Sequence, residues 1–134
     1  MKRERINPPG VLRHPNFTRV ITCQGPMKLV FIAGQTPQGD DFECVAPGDI
    51  RAQFLFIMEK LTLQLKAAGA TWDDVTHRRL YVTDFDAWSK VREDPKLPRF
   101  YSELPCSTGI EVSRLSHPDF MMEVDLIAVV AADG

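Results

Sequence analysis

No apolar run in the chain reaches the roughly 18 residues that a membrane-spanning helix requires. Surplus charge of either sign is also lacking: 16 basic residues face 18 acidic ones, for a net charge of −2, and so small a charge gives no field to attract polyphosphate. The one basic run, Lys2, Arg3 and Arg5, reads as a solvated end, with a nucleic-acid arm as the alternative. Pro8, Pro9 and Gly10 follow it where a secretory signal would carry an apolar stretch, which makes a cytoplasmic location the expectation. Cysteine is sparse. Cys23, Cys44 and Cys106 are odd in number and widely spaced, so neither a disulfide framework nor a structural zinc site is expected. Cys106 reads as a small hydrophobe or a reactive thiol. Gly34, Gly39 and Gly48 lack the spacing of a phosphate loop. His14 and His117 adjoin prolines, His77 falls inside a strand pattern, and none has the context of a nucleophile site. Membrane, nucleic-acid, structural-zinc and phosphate-loop readings are thereby set aside.

What is present fits one globular α+β domain over residues 1–134. The 134 residues are 44% hydrophobic and 25% charged. Residues 1–16 are expected to be an extended surface segment. Phe17–Cys23 and Leu29–Ala33 read as two strands joined at Gln24-Gly25-Pro26 in a hairpin, with Phe42–Val45 as a possible short strand. Apolar residues at Ile50, Phe54, Ile57, Met58, Leu61, Leu65 and Ala68 make one stripe of a helix. Asp49 is its expected N-cap and Gly69 its left-handed end. Val75–Val82 reads as a strand and Asp84 or Asp86 as the cap of a second helix through Trp88 and Val91. A helical turn over Arg99–Glu103 and strands at Thr108–Leu115 and Met121–Val130 complete the order. Two helices on one face of a mixed sheet give a two-layer α+β domain.

Two of these strands carry a second face of mixed character. His77, Arg79 and Tyr81 alternate with Arg78, Leu80 and Val82. Glu123, Asp125, Ile127 and Val129 share a face of the last strand. Charge mixed with large apolar groups suits a polar-rimmed subunit interface better than free solvent.

Four motifs occur in order: Phe-Ile-Ala-Gly-Gln-Thr-Pro at 31–37, Tyr-Val-Thr-Asp at 81–84, Gly-Ile-Glu-Val-Ser-Arg-Leu at 109–115 and Met-Glu-Val-Asp-Leu-Ile-Ala-Val at 122–129. Together they span most of the chain and resemble the Rid family (YjgF, also labelled endoribonuclease L-PSP). The resemblance implies a chorismate-mutase-like fold assembled as a homotrimer, with small-molecule clefts between subunits and no metal or organic cofactor. It implies hydrolytic deamination of enamines or imines to carbonyl compounds and ammonia. The family's arginine, which forks onto a substrate carboxylate, corresponds to Ser107. Its cysteine corresponds to Gly109, its serine before Gly-Gln to Ala33 and its tyrosine to Phe17. Thr108 lies between the first two. Glu123 matches the last-strand carboxylate. Arg114 also matches and reads as structural.

A guanidinium gives a carboxylate two parallel charge-assisted hydrogen bonds, and Ser107 offers one neutral hydroxyl in its place. The cleft is therefore expected to be roomier and less polar, with Glu123 as its main charge, to favour a neutral ligand and to process small 2-imino acids poorly. A replacement cation is sought first at Arg79 and then at Arg99; either also suits a salt bridge to Glu123, Asp125 or Glu111. Glu123 reads as a general acid/base or as an interface carboxylate, and Asp125, two residues on, is positioned to perturb it. A non-catalytic small-molecule-binding trimer is the alternative function. The ribonuclease reading lacks a basic groove, stacking aromatics and a histidine pair.

Overall fold

A computed structural model describes residues 1–132. Strands β1 (Lys2–Ile6) and β2 (Val20–Gln24) form a two-stranded antiparallel sheet. Strands β3 (Met27–Gln35), β4 (Val75–Val82), β5 (Cys106–Glu111) and β6 (Met122–Ala131) form a four-stranded sheet in the order β3-β6-β4-β5. The β4–β5 pair is parallel and the others antiparallel, so the sheet is mixed. Helices α1 (Ile50–Ala67) and α2 (Phe85–Arg92) cover one face of it.

The helix stripe forms as its spacing predicts. Ile57 and Leu61 are fully buried and Phe54, Met58 and Leu65 nearly so, each worth roughly 1.5–3 kcal/mol of apolar burial. Asp49 caps α1 by accepting from the Ala52 N–H at 3.0 Å, and Gly69 follows the helix at φ +75°. Asp84 rather than Asp86 caps α2, accepting from the Ala87 N–H at 3.0 Å. Opposite α1, Met122, Val124, Leu126 and Ala128 of β6 fill the core at the two-residue period of a strand.

Four expectations are corrected. The basic run is not a solvated end: Lys2–Ile6 of the extended segment is a paired strand, and Arg3 bonds to the Val129 carbonyl and pairs with Asp74. The strands at Val20–Gln24 and Met27–Gln35 do not form a hairpin. Each finds a distant partner, β1 and β6, and the turn between them lets the chain pass from one sheet to the other. Phe42–Val45 contributes only an isolated Gln38–Cys44 bridge, with Phe42 at φ +64° and Ala46 at φ +51°. Arg99–Glu103 is irregular, because Asp73 accepts from the Ser102 and Glu103 backbone N–H groups and holds the chain open.

Gln53 sits in the apolar stripe with 0% exposure. Its amide donates to the Asp119 and Ala46 carbonyls at 3.0 and 3.2 Å and accepts from the Met121 N–H at 2.8 Å. One side chain thus ties α1 to the loop before it and to the entry of β6. Gln53→Leu strands those buried groups, each costing about 1–3 kcal/mol, so a loss of roughly 3 kcal/mol in urea unfolding is expected. At the exposed Phe42, Phe42→Gly removes a left-handed non-glycine residue and is expected to stabilise by about 1 kcal/mol in the same measurement.

Candidate functional site

Strand alternation divides the candidate residues between the two faces of the sheet. On the face away from the helices lie Arg79 and Tyr81 of β4, Glu123 and Asp125 of β6, Thr108 of β5 and Ala33 of β3. On the helix side lie Ser107 and Gly109 of β5, which line a cavity of about 730 Å³ together with Phe17. Ser107 and Glu123 are thus on opposite faces, with β4 between their strands.

The open face is built around a bulge. Between the Ile32–Leu126 and Gln35–Val124 pairs, Ala33 and Gly34 stand opposite Asp125 alone. Such an extra residue re-aims the strand locally. It brings Gly34 against Glu123 so closely that a Cβ at position 34 would collide with the carboxylate. Arg79 Nε donates to Asp125 Oδ1 at 2.9 Å, and the Tyr81 hydroxyl donates to Asp125 Oδ2 at 3.3 Å. Asp125 is therefore satisfied. Glu123 has no ion-pair partner among the described residues. Partial burial first, and the Asp125 charge second, push its carboxyl above the ordinary carboxylate range. Around this group the face is apolar and uncovered: Leu29 is 55% and Phe31 71% exposed, with Ile110 also exposed.

The helix-side cavity has a different chemistry. Its charged group beside Ser107 is Arg78, which the sequence reading passed over. Arg78 Nε donates to Ser107 Oγ at 2.9 Å, Nη2 donates to the Asn16 carbonyl at 2.8 Å, and the guanidinium lies 4.9 Å from the centre of the Tyr101 ring. Burial pushes the Tyr101 phenol up, while the Arg78 charge and the approach of its guanidinium to the hydroxyl oppose that shift. Of the two arginines expected as replacement cations, Arg79 turns to the open face and Arg99 lines the cavity. Gly109 is not an empty space, since a Cβ there would meet the Phe85 ring at 3.3 Å. The signal for Arg78 was legible: it alternates in register with Leu80 and Val82, on the side that the helices cover.

The N-terminal rim is pinned to the edge strand. The Thr18 N–H donates to the Pro105 carbonyl at 2.9 Å and its hydroxyl to the Leu104 carbonyl at 2.6 Å. Phe17 stacks on His14 with ring centres 4.2 Å apart. Among the described residues no cluster of three or more His, Cys, Asp or Glu side chains is placed to hold a metal ion, and no helix is long and apolar enough to cross a membrane.

Comparison with known proteins gives consistent matches. The family model described as Endoribonuclease L-PSP matches residues 14–130. A RutC family protein of Pyrococcus abyssi is 32% identical over 105 residues, covering 75% of this chain and 77% of its own. The crystal structure of YyfB, a Rid family protein of Yersinia pestis, superposes with a TM-score of 0.82 at 26% identity, over 97% of this chain and 100% of that one. TdcF of E. coli with bound serine superposes with a TM-score of 0.65 at 25% identity, over 82% and 85% of the two chains.

The raised carboxyl of Glu123 has a consequence for stability. A carboxyl whose folded pKa lies above its unfolded value binds more protons in the native state between the two values, so stability falls as pH rises through that window. The cost is fully present above it. Glu123→Gln is expected to melt at a higher temperature than the native protein near pH 7, with the difference vanishing near pH 4, in paired thermal scans.

Proposed function

The chain belongs to the Rid family, the Endoribonuclease L-PSP family of its matching model, and from that premise we propose that it hydrolyses an enamine, an imine or a related small compound, releasing ammonia. The reaction is placed in a cleft that copies of the chain enclose when their open sheet faces meet in a homotrimer. The observation that carries the reading is Glu123: an unpaired carboxylate with a raised pKa, held against Gly34 on a face with exposed Leu29 and Phe31. A raised pKa makes a carboxylate a stronger base near neutral pH. Glu123 takes a proton from a water whose oxygen bonds to the carbon of the C=N group. The nitrogen gains protons in turn, the C–N bond breaks, and a carbonyl compound and ammonia leave. Asp125, already bonded to Arg79 and Tyr81, supplies negative potential rather than a proton. Ala33 and Thr108 border this face without contributing charge.

The alternative reading is a trimer that binds a small molecule without turning it over. None of the open-face residues Ala33, Arg79, Tyr81, Thr108, Glu123 and Asp125 is a serine or a cysteine, which favours it. So does the relative TdcF, which holds serine.

Both readings meet one experiment. The native protein, 15.2 kDa per chain, is expected to scatter light at three times that mass. It is also expected to accelerate ammonia release from imines that lack a carboxylate, generated in situ by a flavin amine oxidase, and to act poorly on the 2-imino acids that an amino acid oxidase generates. Glu123→Gln, still trimeric, should lower that acceleration by about 100-fold or more. Gly34→Ala, which must displace the carboxylate, should lower it by at least roughly tenfold. Undiminished turnover in Glu123→Gln would remove the acid/base role. Binding without turnover in the native trimer would establish the alternative.

A further inference from the structure

We propose that Arg79 and Tyr81 are positioning residues for the chemistry of Glu123. Together they clamp both oxygens of Asp125, so that two neighbouring carboxylates keep separate duties, one carrying the proton and the other a fixed charge. The inference rests on the proton-carrying role proposed for Glu123.

The first ground is the register of two strands. Arg79 stands opposite Asp125 and Tyr81 opposite Glu123, on one face of the β4–β6 pair. Residues paired in this way have Cβ atoms roughly 5 Å apart, which brings Tyr81 alongside Glu123 as well. Arg79 Nε donates to Asp125 Oδ1 at 2.9 Å, and the Tyr81 hydroxyl donates to Oδ2 at 3.3 Å. Each oxygen thus has its own donor. The Asp125 side chain is 16% exposed and that of Arg79 50%, which puts the guanidinium on the solvent side of the carboxylate.

The second ground is what the clamp prevents. Asp125 and Glu123 are two residues apart on one strand face, about 7 Å along the chain. Carboxylates that close and partly desolvated readily share one proton, and neither then acts alone. With an N–H on one oxygen and an O–H on the other, turning Asp125 towards Glu123 breaks one bond or both. Burial first, and the Asp125 charge second, push the Tyr81 phenol up, so it stays a donor. Glu123, by contrast, has no ion-pair partner among the described residues and rests against Gly34.

The third ground is the charge on the rest of the face. β3 and β5 border it with Ala33, Gly34 and Thr108, none of them titratable. β4 brings Arg79 and Tyr81, with His77 beyond them opposite Ile127, and β6 brings Asp125. Among the described residues Arg79 is thus the one guanidinium or ammonium group beside the two carboxylates. Removing it leaves the Asp125 charge acting on Glu123 without a counter-ion, and in a partly desolvated place that charge is felt strongly.

An NMR pH titration of the full-chain protein with isotope-labelled glutamate carboxyls tests the clamp without any need for turnover. The Glu123 signal is assigned by its loss in Glu123→Gln. Arg79→Gln should raise the Glu123 midpoint by roughly half a pH unit or more, the order expected when one nearby charge loses its counter-ion. Arg79→Lys, which restores the charge, should recover most of the native midpoint. Asp125→Asn should lower it, and in that background Arg79→Gln should move it by less than about half as much. Should Arg79→Gln not fold, Tyr81→Phe, which frees one Asp125 oxygen, should raise the midpoint too. In ammonia release, the limb of the pH profile that depends on Glu123 should follow each of these shifts. The proposal is overturned if Arg79→Gln leaves the midpoint in place, or if its effect is undiminished in Asp125→Asn. Midpoints that move as described in a protein that releases no ammonia would count against the reaction given to Glu123 and not against the clamp.

Discussion

Successive side chains of a β-strand point to opposite faces, and in β4 this separates two adjacent arginines. Arg79 lies on the open face and neutralises Asp125. Arg78 lies on the helix side and meets Ser107 and Tyr101 instead of a carboxylate. A shift of β4 by one residue against β6 would exchange the two faces and bury Arg79 while exposing Leu80 and Val82, at the cost of their apolar burial. The core thus holds both charges where they are. Whatever chemistry each face carries follows from that register.

The two faces then differ in how polar groups are satisfied. On the open side the bulge at Ala33-Gly34 turns a lack of side chain into a contact, since glycine alone admits the Glu123 carboxylate. That carboxylate is partly desolvated and has no ion-pair partner among the described residues, a cost to the folded chain. Gln53 and Asp73, each with several partners, fasten loops that the hydrophobic stripe cannot reach. Hydrogen bonds to Asp73, the Ser102 hydroxyl first, hold its carboxyl below the ordinary range.

The helices were legible because their signals are local. Caps at Asp49 and Asp84 and the spacing from Ile50 to Leu65 lie within single turns of one another. The strands near Val20 and Met27 were legible as strands but not as partners. Adjacent extended segments with a glycine turn resemble a hairpin, yet the apolar face of β3 is buried by pairing with β6, about a hundred residues away. No local signal carries that pairing. The candidate residues from the resemblance were likewise points on a line: Phe17, Ser107 and Gly109 fell to one face, and Ala33, Thr108, Arg79 and Glu123 to the other.

The amino-acid sequence by itself determined the α+β class, both helices, the caps of the first, the core stripe and the faces of the β4 residues from His77 to Val82, because each depends on periodicities of two or a few residues. Only the tertiary structure decided which strands pair, that Arg78 stands beside Ser107, and that Glu123 rests on Gly34. These contacts join segments 29 and 89 residues apart in the chain. Such contacts arise from burying the whole sheet at once, and no short stretch of residues encodes them.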